Sequence, residues 1–333
     1  MVNLLESKKS EIKCDLCGSN NSQFLFANHD RMFPEIKGTF NLYECEKCGL
    51  IYIYPQPSPK ELSKHYPEKY SVFAKKDEIN HLRRFFSLLE SIYLYSQYKS
   101  DTFNYLKVFK AVFYPIKSLF RSTKIIEDGN LLDVGCGLGY FLVTMKNLGM
   151  VSYGVEPGVI DYELAEKYNL DIFNGNLLDA KFEDNFFDVI TLNHVLEHID
   201  NPFETIKELN RILKPGGYLI IRTPIADSYA FQLFGEYWGQ IDTPRHLFIF
   251  KLNNLQKYGN MNNFKVENMR YCSIPSFQII SSIIYKLENL TNRKYDRTIF
   301  QNLFLNILFL PISAFLNIIK KSDECEIVFR KLD

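Results

Sequence analysis

Between residues 130 and 223 short apolar runs alternate with amphipathic stretches. Segments 131–134, 151–155, 171–173, 186–192 and 218–222 read as strands, most of them nearly continuous in apolar residues, as strands buried on both faces are. Segments 159–168 and 202–212 read as helices, and in the second Phe203, Ile206, Leu209 and Ile212 share one face. Asn201 before Pro202, with Glu204 following, predicts a capping box, and Leu213-Lys214-Pro215-Gly216-Gly217 predicts the turn into the last strand. Strands and helices in alternation require parallel βαβ units. The pattern therefore predicts an α/β, Rossmann-like sheet.

Two apolar stretches stand outside that block. Residues 81–122 read as an aromatic-rich helix, with Leu82, Phe85, Phe86, Leu89, Ile92 and Tyr93 at helical spacing. Core packing is expected there, docking the N-terminal part beside a ligand cleft and serving as its lid. Residues 298–319 carry no charge and are bracketed by Arg297 and Lys320. That length raises a membrane span. However, Thr298, Asn302, Asn306, Ser313 and Asn317 fall on one helical face, and Pro311 interrupts the remainder. An apolar cap on the core or a subunit contact is expected, with peripheral contact at the inner face of a membrane as the alternative, because the basic flanks are thin.

The sharpest chemical signal is Leu131-Leu132-Asp133-Val134-Gly135-Cys136-Gly137-Leu138-Gly139-Tyr140. Alternate glycines between a strand and a helix start allow tight turning, leave no Cβ between backbone and ligand, and aim free helix N–H groups into the same space. A dinucleotide fingerprint would need glycine where Tyr140 stands, and Asp133 would repel a pyrophosphate. Asp133 suits a ligand bearing positive charge, such as the ammonium and sulfonium of S-adenosylmethionine. Glu156, ending the next strand, suits acceptance of both ribose hydroxyl protons. Cys136, Cys272 and Cys325 are expected to be packed core residues.

With Asn193-His194-Val195-Leu196-Glu197-His198 after the fourth strand, the chain resembles the class I S-adenosylmethionine-dependent methyltransferases. The resemblance implies parallel strands closed by a final antiparallel pair, 264–270 and 325–330, with 273–322 as an apolar insertion. Both ends of that insertion then lie on one side, which a single membrane crossing would forbid. It implies cofactor contacts from Asp133, Gly135, Gly137, Gly139, Tyr140, Glu156 and Asn193, with Asn176 and Leu177 along the adenine. Asn176 departs from the acidic residue often found there.

Cys14-Asp15-Leu16-Cys17-Gly18 and Cys45-Glu46-Lys47-Cys48-Gly49 form two knuckles whose four thiolates make a closed tetrahedral shell, which Zn²⁺ favours over the competing disulfide or redox pair. Such a site has no position for a catalytic water, so the metal is assigned to stability. The cysteine module followed by the Gly49 to Pro59 run GLIYIYPQPSP resembles a group of bacterial proteins linked with sugar, polysaccharide or natural-product modification. Charge speaks against nucleic acid as a partner. The chain has 39 basic and 39 acidic residues, and residues 10–60 hold Lys13, Arg31, Lys37, Lys47 and Lys60 against a slight excess of acids. Residues 1–13 contain no long apolar run, so no secretory signal and a cytoplasmic setting are expected.

Residues 223–250 follow the fifth strand, outside the strand ends where open α/β sheets bind ligands, and carry Tyr229, Tyr237, Trp238 and Asp242. Thr243-Pro244-Arg245-His246-Leu247-Phe248 matches a pattern of the resembled bacterial group. His246 is expected as the general base toward a hydroxyl, Arg245 as orienting the acceptor or steadying the loop, and His194 as the reserve base. The expected reaction is methyl transfer to a small polar acceptor, a sugar or glycoconjugate, nucleotide- or lipid-linked. Quinone or other natural-product O-methylation, cofactor binding without catalysis, and RNA methylation are the alternatives. The organisation expected is a zinc module at 1–60, a helical linker or lid at 61–128, and a methyltransferase domain at 129–333.

Overall fold

The computed structural model describes residues 13–67, 81–99, 108 and 120–333. The linker residues 68–80, 100–107 and 109–119, and the side chains of Leu82, Phe85 and Phe86, lie outside the described residues. Strands β1 (Ser22–Asn28), β2 (Phe40–Cys45) and β3 (Ile51–Ile53) form an antiparallel meander. Helix α1 (His81–Tyr98) precedes β4 (Asn130–Val134), α2 (Tyr140–Asn147), β5 (Val151–Glu156), α3 (Tyr162–Tyr168) and β6 (Asp171–Asn174). Strand β7 (Phe187–Asn193), α4 (Pro202–Ile212) and β8 (Leu213–Pro224) follow. The chain then forms β9 (Phe248–Ile249), α5 (Leu252–Met261), β10 (Phe264–Tyr271), α6 (Ser281–Thr291), α7 (Leu303–Ile318) and β11 (Glu324–Lys331).

The main sheet has the order β10-β11-β8-β7-β4-β5-β6. Strands β6, β5, β4, β7 and β8 run parallel, while β11 is antiparallel to both β8 and β10. This is the Rossmann-like sheet with an antiparallel pair that the alternation and the resemblance led us to expect. Its continuous apolar runs are explained by burial on both faces. Leu132, Ile190 and Ile221 pack with Ile206, Leu209 and Ile212 of α4 and Leu255 of α5, whereas their neighbours Leu131, Val189 and Ile220 pack with Leu94 of α1 and Phe141, Leu142 and Met145 of α2. Cys136, Cys272 and Cys325 are buried, as expected.

Several local expectations are corrected. Asn201 makes no side-chain cap on α4. Its place is taken by Asp15, whose Oδ2 accepts from the Phe203 backbone N–H at 3.1 Å and from the Tyr258 hydroxyl at 2.5 Å. A carboxylate at a helix N-terminus satisfies an orphan donor and meets the positive end of the dipole. The Pro-Gly-Gly segment is not a turn ahead of the strand: Leu213 already pairs with Phe187, the next pair is Tyr218 with Val189, and residues 214–217 bulge between them. Helix is described over His81–Tyr98 but not over 120–122.

The small sheet has the order β1-β2-β3-β9, so its fourth strand comes from the segment after β8. Ile51 and Tyr52 pair with Ile249 and Phe248. The N-terminal cysteine module therefore completes its sheet with residues from the far half of the chain. Arg245 lies in the loop that delivers this strand, which ties the site described next to both sheets.

Candidate active site

The C-terminal ends of β4, β5, β6 and β7 border one rim. After β4, Gly135, Gly137 and Gly139 all have left-handed φ values, 71°, 55° and 86°. A Cβ on Gly135 would lie 2.4 Å from Val195 Cγ2, so glycine there admits the loop after β7, whereas a Cβ on Gly137 would meet open space. Gly139 is the N-cap residue of α2 and Tyr140 its first residue. Glu156, at the end of β5, is buried, which raises its pKa; its Oε2 accepts from Gly137 N–H at 2.8 Å and its Oε1 from Gly158 N–H at 2.7 Å. Each oxygen retains a second acceptor position.

Asn176 is exposed and precedes a short helix, Leu177–Ala180, without capping it, while Leu177 is buried. At the end of β7 the Asn193 Oδ1 is buried and has no hydrogen-bond partner among the described residues. An open glycine cradle, a carboxylate at the adjoining strand end and an orphaned acceptor fit a ligand with ribose hydroxyls and an ammonium group.

Asp133 does not. Its Oδ1 accepts from Thr191 Oγ1 at 2.6 Å, its Oδ2 lies 3.6 Å from Arg121 Nη1, and burial pushes its pKa up to about 6. The expected contact with a cationic ligand is thus replaced by support beneath the loop. Arg121, held by Glu90 and set 3.8 Å over the Phe141 ring, supplies the balancing charge.

The loops after β7 and β8 build a second cluster around the buried Glu197. Its Oε2 accepts from Thr223 Oγ1 at 2.9 Å, and its Oε1 lies 3.3 Å from His194 Nδ1. Burial opposes ionisation of Glu197, but the His194 imidazole, with His246 and His198 beyond it, outweighs this and holds its pKa down to about 2. His194 has φ 55° and also faces Glu324 Oε2 at 3.5 Å. Burial again opposes its charge, yet the carboxylates of Glu324 and Glu197 push its pKa up to about 9. The two carboxylates favour its protonated form, which argues against the reserve-base role expected for His194.

His246 Nδ1 donates to the Gln240 carbonyl at 2.7 Å, and His198 Nδ1 to the Arg245 carbonyl at 2.9 Å. The two rings pack edge to face with centroids 4.6 Å apart. Burial, then the neighbouring His246, lowers the His198 pKa to about 4. The carbonyl fixes the tautomer of His246 and leaves a lone pair on Nε2. Glu197, His198 and His246 also present ligand atoms within 4.8 Å of one another, so they form a second group able to hold a metal.

Arg245 has no exposed surface and cannot touch an acceptor. Its Nη1 donates to Asp30 Oδ2 at 2.7 Å and to the His65 carbonyl at 2.8 Å, and its Nε donates to Asp242 Oδ2 at 2.9 Å. Of the two roles expected for it, steadying the loop is the one its contacts serve. Trp238 is likewise buried, donating from Nε1 to Asp323 Oδ2 at 2.9 Å.

The four module cysteines come together: Cys14 Sγ lies 3.6 Å from Cys48 Sγ, and Cys17 Sγ 3.5 Å from Cys45 Sγ. All four are free thiols, with ligand atoms within 4.8 Å of one another. Metal–sulfur bonds of about 2.3 Å in a tetrahedron require sulfur separations of about 3.8 Å, so the donor set fits Zn²⁺, whereas a disulfide needs about 2.05 Å. Gly18 and Gly49 N–H groups close the two knuckles on the Cys14 and Cys45 carbonyls.

Sequence reasoning missed Arg121, Asp30, His65 and Glu324. Asp30, His65 and Glu324 are distant along the chain from the site they serve, and Arg121, 12 positions before Asp133, belongs to no local motif. Glu197 lies inside the motif Asn193–His198, but its central position depends on loops brought together only by folding.

Residues 108–268 match a family model described as a methyltransferase domain. The chain is 29% identical over 112 residues to a demethylmenaquinone methyltransferase of Staphylococcus saprophyticus, covering 31% of this chain and 48% of that protein. It is 31% identical over 113 residues to a mitochondrial ubiquinone biosynthesis O-methyltransferase of Schizosaccharomyces pombe, covering 32% and 41%. The chain thus spans about half the length of these relatives, or less. A solved S-adenosylmethionine-dependent methyltransferase from Archaeoglobus fulgidus is similar with a TM-score of 0.41 at 19% identity, over 68% of this chain and 94% of that one. Residues 108–268, on a Rossmann-like sheet with a glycine cradle at its strand ends, are thus similar to a methyltransferase domain.

Proposed function

We propose that this protein transfers a methyl group from S-adenosylmethionine to a hydroxyl of a small polar acceptor, a sugar or glycoconjugate. The observation that carries the proposal is the Glu197 histidine cluster beside the strand ends that bear the glycine cradle. Gly135, Gly137, Gly139, Tyr140, Glu156, Asn176, Leu177 and Asn193 would hold the cofactor, Glu156 accepting from its ribose hydroxyls and Asn193 from its ammonium. When bound, the cofactor supplies an electrophilic methyl carbon.

The chain's own residues orient the acceptor and remove its proton. Charge in an in-line displacement is dispersed, so positioning supplies much of the rate. His246 Nε2 takes the hydroxyl proton, while the carbonyl of Gln240 holds the ring and anionic Glu197 steadies the imidazolium that forms. His194, already cationic, tunes Glu197 and Glu324 instead of accepting a proton. Cys14, Cys17, Cys45 and Cys48 would hold a structural zinc, and free thiols at all seven cysteines support a reducing, cytoplasmic setting.

A sugar is favoured by the likeness of the cysteine module and residues 49–59 to bacterial proteins linked with sugar modification. A quinone acceptor is the second reading, supported by the names of the relatives from S. saprophyticus and S. pombe. Balanced charge gives no support to a nucleic-acid partner. The test offers purified protein methyl-labelled cofactor with nucleotide sugars and with hydroquinones, and identifies products by mass spectrometry. Label on a sugar hydroxyl is expected. Label on a hydroquinone alone would select the second reading, and bound cofactor without transfer to either would contradict both.

A further inference from the structure

Helix α7 is inside out. In a helix packed on a water-soluble core the apolar stripe faces inward and the polar face meets solvent. Here the polar positions face the protein. Ser313 is fully buried and its Oγ donates to Gln278 Oε1 at 2.7 Å. Asn317 Oδ1 accepts from the Ser273 N–H at 3.1 Å, and Asn306 Nδ2 donates to the Phe300 carbonyl at 2.9 Å. The opposite arc is turned out: Phe304 is 71% exposed, Ile307 60%, Leu308 57%, Ile312 48%, Phe315 58% and Ile318 78%. The apolar cap expected on the core is therefore only partial: Leu305 and Phe309 pack inward, while these six side chains point away.

The sequence around this helix is basic. The whole chain is neutral, but residues 281–321 carry Lys286, Arg293, Lys294, Arg297, Lys320 and Lys321 against only Glu288 and Asp296. Of these two acids Glu288 is buried and paired with Arg297 at 2.7 Å. Lys286, Arg293, Lys294 and Lys320 are exposed. A long apolar arc that ends in a pair of lysines suits binding in the plane of an anionic interface, the side chains entering the acyl boundary and the cations meeting headgroups.

Spanning is excluded on other grounds. The 16 residues of α7 are about 24 Å long at 1.5 Å per residue. Among the described residues no helix is long and apolar enough to cross a membrane. The bonds of Asn317 to Ser273 also tie the far end of the helix back to the start of the insertion, beside the paired strands β10 and β11.

We propose that α7, with the lysines that follow it, is a peripheral docking surface for an anionic lipid bilayer, the helix lying in the interfacial plane. This surface is separate from the methyl-transfer site, and its test does not depend on activity. The full-length protein is mixed with vesicles of phosphatidylcholine alone or with about a third phosphatidylglycerol, then sedimented. Binding to the anionic vesicles is expected, weakening with salt. Phe304→Ser with Phe315→Ser should reduce partitioning by at least about tenfold, since each phenylalanine buries a large apolar surface. Lys320→Gln should reduce it about fivefold, as one surface lysine contributes on the order of 1 kcal/mol toward anionic lipid.

Circular dichroism and cofactor calorimetry confirm that these exposed positions leave the fold intact. The proposal is overturned if the wild-type protein stays in the supernatant with anionic vesicles, or if the double phenylalanine variant binds them as well as wild type. Light scattering identifies the competing occupant: a dimer dispersed by the phenylalanine variant, with no vesicle binding by wild type, would make the face a contact between two copies.

Discussion

Arg245 and Asp30, 215 positions apart, meet in a two-pronged ion pair with Nη1–Oδ2 2.7 Å and Nη2–Oδ1 3.0 Å, and neither side chain is exposed. Asp242 flanks the guanidinium on the other side, and His65 donates to Asp30 at 2.8 Å. This cluster fastens the segment before His246 to the N-terminal module.

Removing one partner of such a pair leaves a charge buried and uncompensated. Asp30→Asn is expected to destabilise the chain by about 3 kcal/mol, the lower end of the usual range because Asp242 remains. Arg245→Lys keeps the charge but loses the planar fork and should cost a similar amount. Urea denaturation with zinc present checks both. Wild-type midpoints would show that the cluster contributes little.

The cysteine cluster predicts one zinc per chain by elemental analysis. Cys48→Ser should lower the yield of folded protein, and a strong chelator should lower the melting temperature, because metal binding and folding are coupled in such modules. The loss should spread beyond the module, since Asp15 caps α4 and Asn254 of α5 donates to the Cys48 carbonyl at 2.7 Å. A metal-free protein with unchanged melting would contradict the assignment.

His194 gives a signed pH dependence. Its folded pKa of about 9 exceeds the ordinary histidine value of 6.5, so the folded chain binds this proton more tightly than the unfolded one. The stability it contributes is whole below about pH 6.5 and is lost as pH rises through about 9. Melting temperatures of wild type should fall across that interval more steeply than those of His194→Gln. Parallel curves would show that the imidazolium is not held by Glu197 and Glu324.

Calorimetry tests the cofactor site. S-adenosylmethionine should bind and NAD should not. Glu156→Ala should cost about 1.5 to 3 kcal/mol in cofactor affinity, through lost hydrogen bonds to a charged acceptor. Because Glu156 also holds the Gly137 and Gly158 N–H groups, a melting curve must accompany the measurement. Unchanged affinity would remove Glu156 from the site.

What the chain discloses locally was legible and what it assembles at distance was not. The strands, the glycine turn and the antiparallel pair follow from periodicity and nearby punctuation, and the four cysteines from short spacing. Asp15 as the cap of α4 was not, because Asn201 offered an adequate local signal and the competing carboxylate arrives from 188 positions away. Which of its two expected roles Arg245 serves was hidden for the same reason: an arginine beside a candidate base reads equally as a ligand contact until Asp30 and Asp242 enclose it. The polar face of α7 was legible in the spacing of Asn306, Ser313 and Asn317. Which way that face points was not, since periodicity gives the stripe and only packing gives its direction.

The central claim is that the acceptor's proton leaves through His246, and single-turnover transfer from methyl-labelled cofactor in wild type and His246→Ala tests it most directly. The account predicts cofactor affinity unchanged in the variant and transfer slowed by about 10² to 10⁴. Transfer at the wild-type rate would contradict it, leaving His246 as a tie between the Gln240 carbonyl and the His198 ring.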